Sequence, residues 1–249
     1  MTLRKLGNQL SLYPASGADS TLTSVNQYGR NPDCAANASE EIWNGSVVYS
    51  WPATALMTHV SQTADQETMR GQTVHIHGLD GDWNPVEQDV VMDATLTTNA
   101  VALDPALLRV HFAEINSGVV VTGTPIRLHN AGETIDYFVM PVGNQTTALG
   151  WYTVPAGKVA YMTQYWAHHN PTSGQTFTSN LIRLWAKDNV NGYARKVIHQ
   201  VGVPEDGGFV HPFEPYLKFT EKTDIMLTAS PTSASADVSA GFDLLLTND

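Results

Sequence analysis

Apolar and polar residues alternate with a period of two along most of this chain. In residues 71–79, Val74, Ile76 and Gly78 fall on one face, and Thr73, His75, His77 and Leu79 on the other. Successive side chains of an extended strand point to opposite sides, so this spacing predicts a strand. Asp80-Gly81-Asp82 supplies turn chemistry and residues 86–92 return, which predicts a long hairpin. Further strands are predicted over residues 47–51, 55–61, 107–115, 119–121, 124–129 and 134–140. Asp104-Pro105 predicts one helical turn within residues 100–107, because proline suits the first turn of a helix.

The stretch from Gly150 to Met162 opens a second region of the same style. Tyr152 and Val154 alternate with Trp151 and Thr153, Pro155 and Gly157 form a turn, and Val159 and Tyr161 resume the alternation. Strands are predicted over residues 159–165, 176–187, 193–203, 216–219, 224–229 and 238–246, with His168-His169-Asn170-Pro171 as a loop. Residues 1–40 carry no sustained period and are broken by Pro14, Gly17, Gly29 and Pro32. They read as an extended arm, either a disordered tail or a segment that orders against a neighbouring subunit, with Leu10, Leu12 and Tyr13 as the residues that would pin it. The predicted architecture is therefore all-β: an N-terminal arm over 1–40, then two jelly-roll-like or Ig-like antiparallel β-sandwich domains over 41–146 and 147–249.

Composition narrows the function classes. The chain has 249 residues, enough for two small β-domains with real cores, and its net charge of -11 comes without any Lys/Arg cluster. Nucleic-acid binding wants a basic surface, so that class is set aside. No run is long and apolar enough to span a bilayer as a helix, and Met1-Thr2-Leu3-Arg4-Lys5-Leu6 lacks the apolar core of a signal peptide. Cys34 is the sole cysteine, which rules out an intrachain disulfide.

Candidate chemistry is sparse. Asp80, Asp82 and Asn84 resemble the start of a calcium loop, but Pro85 and Val91 stand where glycine and glutamate are needed. Trp83 beside Asp80 and Asp82 is a candidate surface for stacking a sugar ring. His75 and His77 project from one strand face and could ligate a metal if a third group such as His111 approached; His168, His169, His199 and His211 are other histidines. Nothing in the spacing brings them together, so no metal and no cofactor is assigned. The Gly-x-Ser-x-Gly elbow and the phosphate-binding glycine loops are absent, and Glu114, Glu133, Asp136 and Glu214 are unremarkable carboxylates. Arg109 and Arg183 interrupt apolar strands; each faces water or meets an acid at an interface between copies of the chain.

Several motifs carry a family likeness. Trp43-Asn44-Gly45-Ser46-Val47-Val48-Tyr49 followed by Trp51-Pro52, Ser61 and Asp65, Val74-His75-Ile76-His77-Gly78-Leu79-Asp80, and Leu108-Arg109-Val110 resemble structural proteins of tailed bacteriophages. Asn44-Gly45-Ser46 stands where the likeness leads one to expect Gly-Gly. Tyr152-Thr153-Val154-Pro155-Ala156-Gly157-Lys158, the segment from Phe219 to Ile225, and Val238-Ser239-Ala240-Gly241-Phe242-Asp243 are similar to β-sandwich modules of virion surface and tail-associated proteins. The resemblance implies a non-enzymatic virion component, a capsid decoration or tail-associated protein. It implies assembly in the host cytoplasm as a homotrimer, with major capsid or neck and tail proteins as further partners. The alternative is a receptor-binding tip or fibre module that contacts a host surface glycan through Trp83. A polysaccharide hydrolase on a β-scaffold ranks last.

Overall fold

The computed structural model describes residues 21–45, 48–170, 179–205 and 207–248. The chain is all-β: among these residues there is no α-helix, only a single 3-10 turn at Glu67–Met69, and every strand pairing is antiparallel. Among the described residues no helix is long and apolar enough to cross a membrane.

One sandwich is built from the middle of the chain. Strands β3 (Met57–Gln62), β6 (Val101–Leu107), β8 (Ile126–His129) and β9 (Asp136–Met140) form a sheet in the order β6-β3-β8-β9. Strands β4 (Thr73–Leu79), β5 (Pro85–Val91) and β7 (Arg109–Ile115) form a second in the order β5-β4-β7. Val74 and Ile76 of β4 bury against Met57, Val60, Ile126, Leu128 and Phe138 from the facing sheet. The β4–β5 hairpin is the predicted one, and its turn is held by the Asp80 carboxylate, which accepts the N–H groups of Asp82 and Asn84 at 2.9 Å each. Residues 101–107 are not helical. They form edge strand β6, where Leu103 and Leu107 bury and where a proline costs no ladder bond.

The second sandwich takes in both ends of the described chain. Strands β1 (Leu22–Cys34), β11 (Lys158–Asn170), β14 (Gly208–Phe219) and β16 (Ala236–Asn248) form a sheet in the order β1-β16-β11-β14. Strands β10 (Trp151–Thr153), β12 (Ser179–Asp188), β13 (Lys196–Pro204) and β15 (Thr223–Ala229) face it in the order β10-β15-β12-β13, with the short β2 (Glu40–Glu41) also paired to β15. Numbering the main strands one to eight along the chain, the two sheets read 1-8-3-6 and 2-7-4-5. That is the double Greek key of an eight-stranded jelly roll. The other sandwich is inserted between its first strand and its second.

This topology corrects the arm expected over residues 1–40. From Leu22 onward that segment is β1, registered against β16 from Leu22↔Thr247 to Asn31↔Val238. It escaped the apolar-pattern test because its buried positions are Gln27, Gly29, Asn31 and Cys34. Gly29 is required there: a Cβ would lie 2.3 Å from the Gly150 nitrogen and 2.4 Å from the Ile42 oxygen. Two other expectations change. His168–Asn170 continue β11 instead of forming a loop, and the strand expected at 216–219 starts at Gly208. Residues 48–50 and 119–121 are not strands, while Ser46 and Val47 lie outside the described residues.

Cys34 closes the inner end of β1, fully buried with its thiol directed at the Ala229 carbonyl, 3.5 Å away. Burial pushes this thiol up to about 12, and the Glu40 and Asp33 carboxylates add to the shift. Thiolate is the reactive form. Native protein is therefore expected to be inert to a thiol-specific chromogenic disulfide at pH 8, with one thiol titrating in denaturant. Full reaction within minutes in native buffer would mean that β1 detaches readily.

Candidate functional site

The two sandwiches meet along the outer face of the β10-β15-β12-β13 sheet, and this junction holds most of the unusual chemistry. Trp151, Met226 and Trp185 lie side by side across β10, β15 and β12 and pack into the core of the inserted sandwich. Strand alternation then sends Tyr152 and Val154 the other way, into the jelly-roll core. The Trp151 ring sits 4.2 Å from Tyr49 and 5.7 Å from Trp51 between centroids, and its indole N–H donates to the Val110 carbonyl at 3.0 Å.

Beside this aromatic cluster lies a buried ion pair. Arg109 of β7 donates from Nε and Nη2 to the two oxygens of Asp224 of β15, at 2.9 and 3.0 Å. Its remaining Nη1 donates to the Pro52 and Leu108 carbonyls. Asp224 also accepts the Thr153 hydroxyl at 2.7 Å and the Asn189 amide at 2.8 Å. The guanidinium lies between Trp51 and Trp83, 5.2 and 5.0 Å from their ring centroids. Arg109 thus meets an acid as expected, but within its own chain. A second tie joins the same bodies: Glu41, buried on β2, takes Arg195 at 2.8 Å and the Tyr49 N–H at 3.0 Å.

On the opposite flank, a cleft of about 540 Å³ opens between β1 of the jelly roll and the β5-β4-β7 sheet. Gln27, His77, Glu87, His111, Tyr152 and Lys158 are among its lining residues. Gln27 closes its floor, donating to the His111 and Leu149 carbonyls at 2.9 and 2.7 Å. At the rim, His77 and Glu87 face each other across the β4–β5 ladder, Nδ1 to Oε1 3.3 Å. His75 and Asp89 are paired one step along, at 2.6 Å. One ligand atom from each of His75, His77 and Glu87 lies within 4.8 Å of the others.

His111 does not join them. Its Nε2 accepts the Thr153 N–H at 3.2 Å and its ring stacks on Tyr152 at 4.1 Å. Burial, with the Arg109 charge adding to it, holds this imidazole down at about 3. The folded state thus refuses a proton that the unfolded chain takes up near pH 6.5. His111 stabilises the fold fully above that pH, and its contribution is lost progressively as pH falls towards 3. We expect the urea midpoint to drop between pH 7 and pH 4.5, and His111→Leu to flatten that slope while starting from a lower midpoint. An unchanged slope in the variant would refute this assignment.

The other sequence candidates are placed as follows. Trp83 is spent on Arg109, and Asp80 on its own turn, while Asp82 is exposed. Arg183 is half-buried on β12, registered between Gln200 and Thr228. Tyr13 lies outside the described residues. His199 and His211 stack on each other at 4.3 Å between β13 and β14, and Tyr165 shares a 2.5 Å hydrogen bond with His199. A Ser61–His129 pair at 2.8 Å, with His129 Nδ1 donating to the Asn130 carbonyl, has the form of a nucleophile and its base. Both residues are fully buried, so no substrate reaches the hydroxyl. No pattern signal could have found it, nor the Glu87 approach to His77, because both pairings follow from strand register.

No family model, curated protein or solved structure matches the chain.

Proposed function

We propose that this protein is a non-enzymatic structural component of a bacteriophage virion, a capsid decoration or tail-associated protein that assembles with copies of itself. The observation that supports this reading is the asymmetry of the jelly roll's two sides. The side formed by β1 and β10 is occupied by the inserted sandwich, through the aromatic cluster, the buried Arg109–Asp224 ion pair and the Tyr49 N–H bond to Glu41. The other side ends in β13 and β14, each with one ladder edge unpaired among the described residues. Those strands expose Val197, Val210 and Tyr216, with Val210 65% accessible. Open apolar edges are what monomeric β-proteins avoid and assembling ones use. Jelly rolls recur in virion shells but also in lectins, so the fold alone supports the role only by analogy. The glycan-binding alternative is weakened because its best ring, Trp83, is already stacked.

The test is the mass in solution by light scattering, for the native chain and for Val210→Lys with Val197→Lys. A closed oligomer, trimeric on this reading, is expected for the native chain, and the double variant should be monomeric with its fold intact. A native chain that stays monomeric up to about 100 μM, far above ordinary affinities for specific assembly, would overturn the proposal.

A further inference from the structure

We propose that His75, His77 and Glu87 form a divalent transition-metal site, best suited to Zn²⁺, with an open coordination position at the mouth of the cleft between the sandwiches. Two histidines and one carboxylate are a borderline donor set that favours zinc over calcium or magnesium. The scaffold supplies the geometry. His75 and His77 sit on the same face of β4, and their rings approach edge to face with centroids 4.5 Å apart. Glu87 stands directly opposite His77 on β5. The 3.3 Å between His77 Nδ1 and the Glu87 oxygen matches the spacing of two ligands on one tetrahedral ion, about 3.3 Å for bonds near 2.0 Å. The whole trio already lies within 4.8 Å, so small side-chain rotations close it.

Asp89 adds an outer layer. Its carboxylate lies 2.6 Å from His75 Nδ1, across the next pair on the same face of the ladder. Accepting that N–H fixes the tautomer and leaves the Nε2 lone pair for the metal, the arrangement by which carboxylates commonly orient metal-binding histidines. Three protein ligands leave a four-coordinate ion one position short. His77 and Glu87 line the cleft, so that position faces its interior, where water or an incoming carboxylate would complete the shell.

Zinc titration by calorimetry on the full chain tests this, with Co²⁺ absorption as a second readout of coordination. We expect one site of micromolar or tighter affinity and visible Co²⁺ bands of low-symmetry coordination. His77→Ala and Glu87→Gln should each remove that site, while thermal unfolding without metal stays close to that of the native chain, since both groups are partly or fully exposed. Asp89→Asn should weaken it by about 10–100-fold, as for other residues that orient a ligand. Absence of a micromolar site in the native chain, or one that persists in a His75→Ala, His77→Ala double variant, would overturn the proposal.

Discussion

A chain that begins at residue 41 is expected to lose the jelly roll. Deleting residues 1–40 removes β1 and the first residue of β2, and with β1 a ladder that runs almost the full length of β16. The Cys34 thiol, the Gln27 bonds to the His111 and Leu149 carbonyls and the Arg30–Asp237 ion pair go with it. What remains is a sheet whose 13-residue strand β16 has an unpaired edge over a core of Val238, Phe242 and Leu244. Such an edge is a template for aggregation. The truncated protein should therefore appear in the insoluble fraction, while a chain starting at Thr21 serves as the soluble reference. A synthetic peptide of residues 21–36, added during refolding, should rescue solubility by restoring the missing strand. A soluble truncated chain with an unchanged urea midpoint would show that β1 is dispensable.

The second large effect is expected at Arg109 and Asp224. Both side chains are buried, and each satisfies the other. Removing one partner leaves a charge uncompensated in a medium that solvates it poorly, which costs about 3–5 kcal/mol. Asp224→Asn should fall in that range by urea unfolding, as should Arg109→Met. The double variant Arg109→Met, Asp224→Leu should recover only part of the loss. It removes the stranded charge, but the Thr153 hydroxyl and the Pro52 carbonyl then lose their partners, and Asn189 loses one of its two. Because the pair spans the two sandwiches, the single variants should also separate into two unfolding transitions, one for each core. A loss below about 1 kcal/mol would place the pair among weak surface bridges, contrary to its burial.

Much of the fold was legible in the chain. The period-two pattern is cleanest in β4, β11 and β12, whose buried positions alternate with more accessible ones; β5, β7, β8 and β9 are located as well, although both faces of β7 are buried. The pattern failed where that alternation of apolar side chains is missing. Strand β1 buries glycine and amides against neighbouring backbone, so it looks like coil. Strand β15 is located, with Ile225 and Leu227 on one face, but it is buried on both faces, between the jelly-roll core and the inserted sandwich, which the pattern alone does not show. Strand β14 carries prolines at an exposed edge and reads as loop until Tyr216.

The candidate site was half legible. That His75 and His77 share a face follows from spacing alone, but their third partner does not. His111 is nearer in kind, yet the fold stacks it on Tyr152 and uses its nitrogen for Thr153. Glu87 is brought opposite His77 by the hairpin register, which turn geometry sets. By itself, then, the sequence determined the fold class, most strands and the paired histidines, all of which depend on neighbours a few residues apart. The tertiary structure alone decided that the first strand closes on the last, that one sandwich is inserted into the other, and that Arg109 is answered by Asp224. Those pairings join residues over a hundred positions apart, and only the packing of complete sheets selects them.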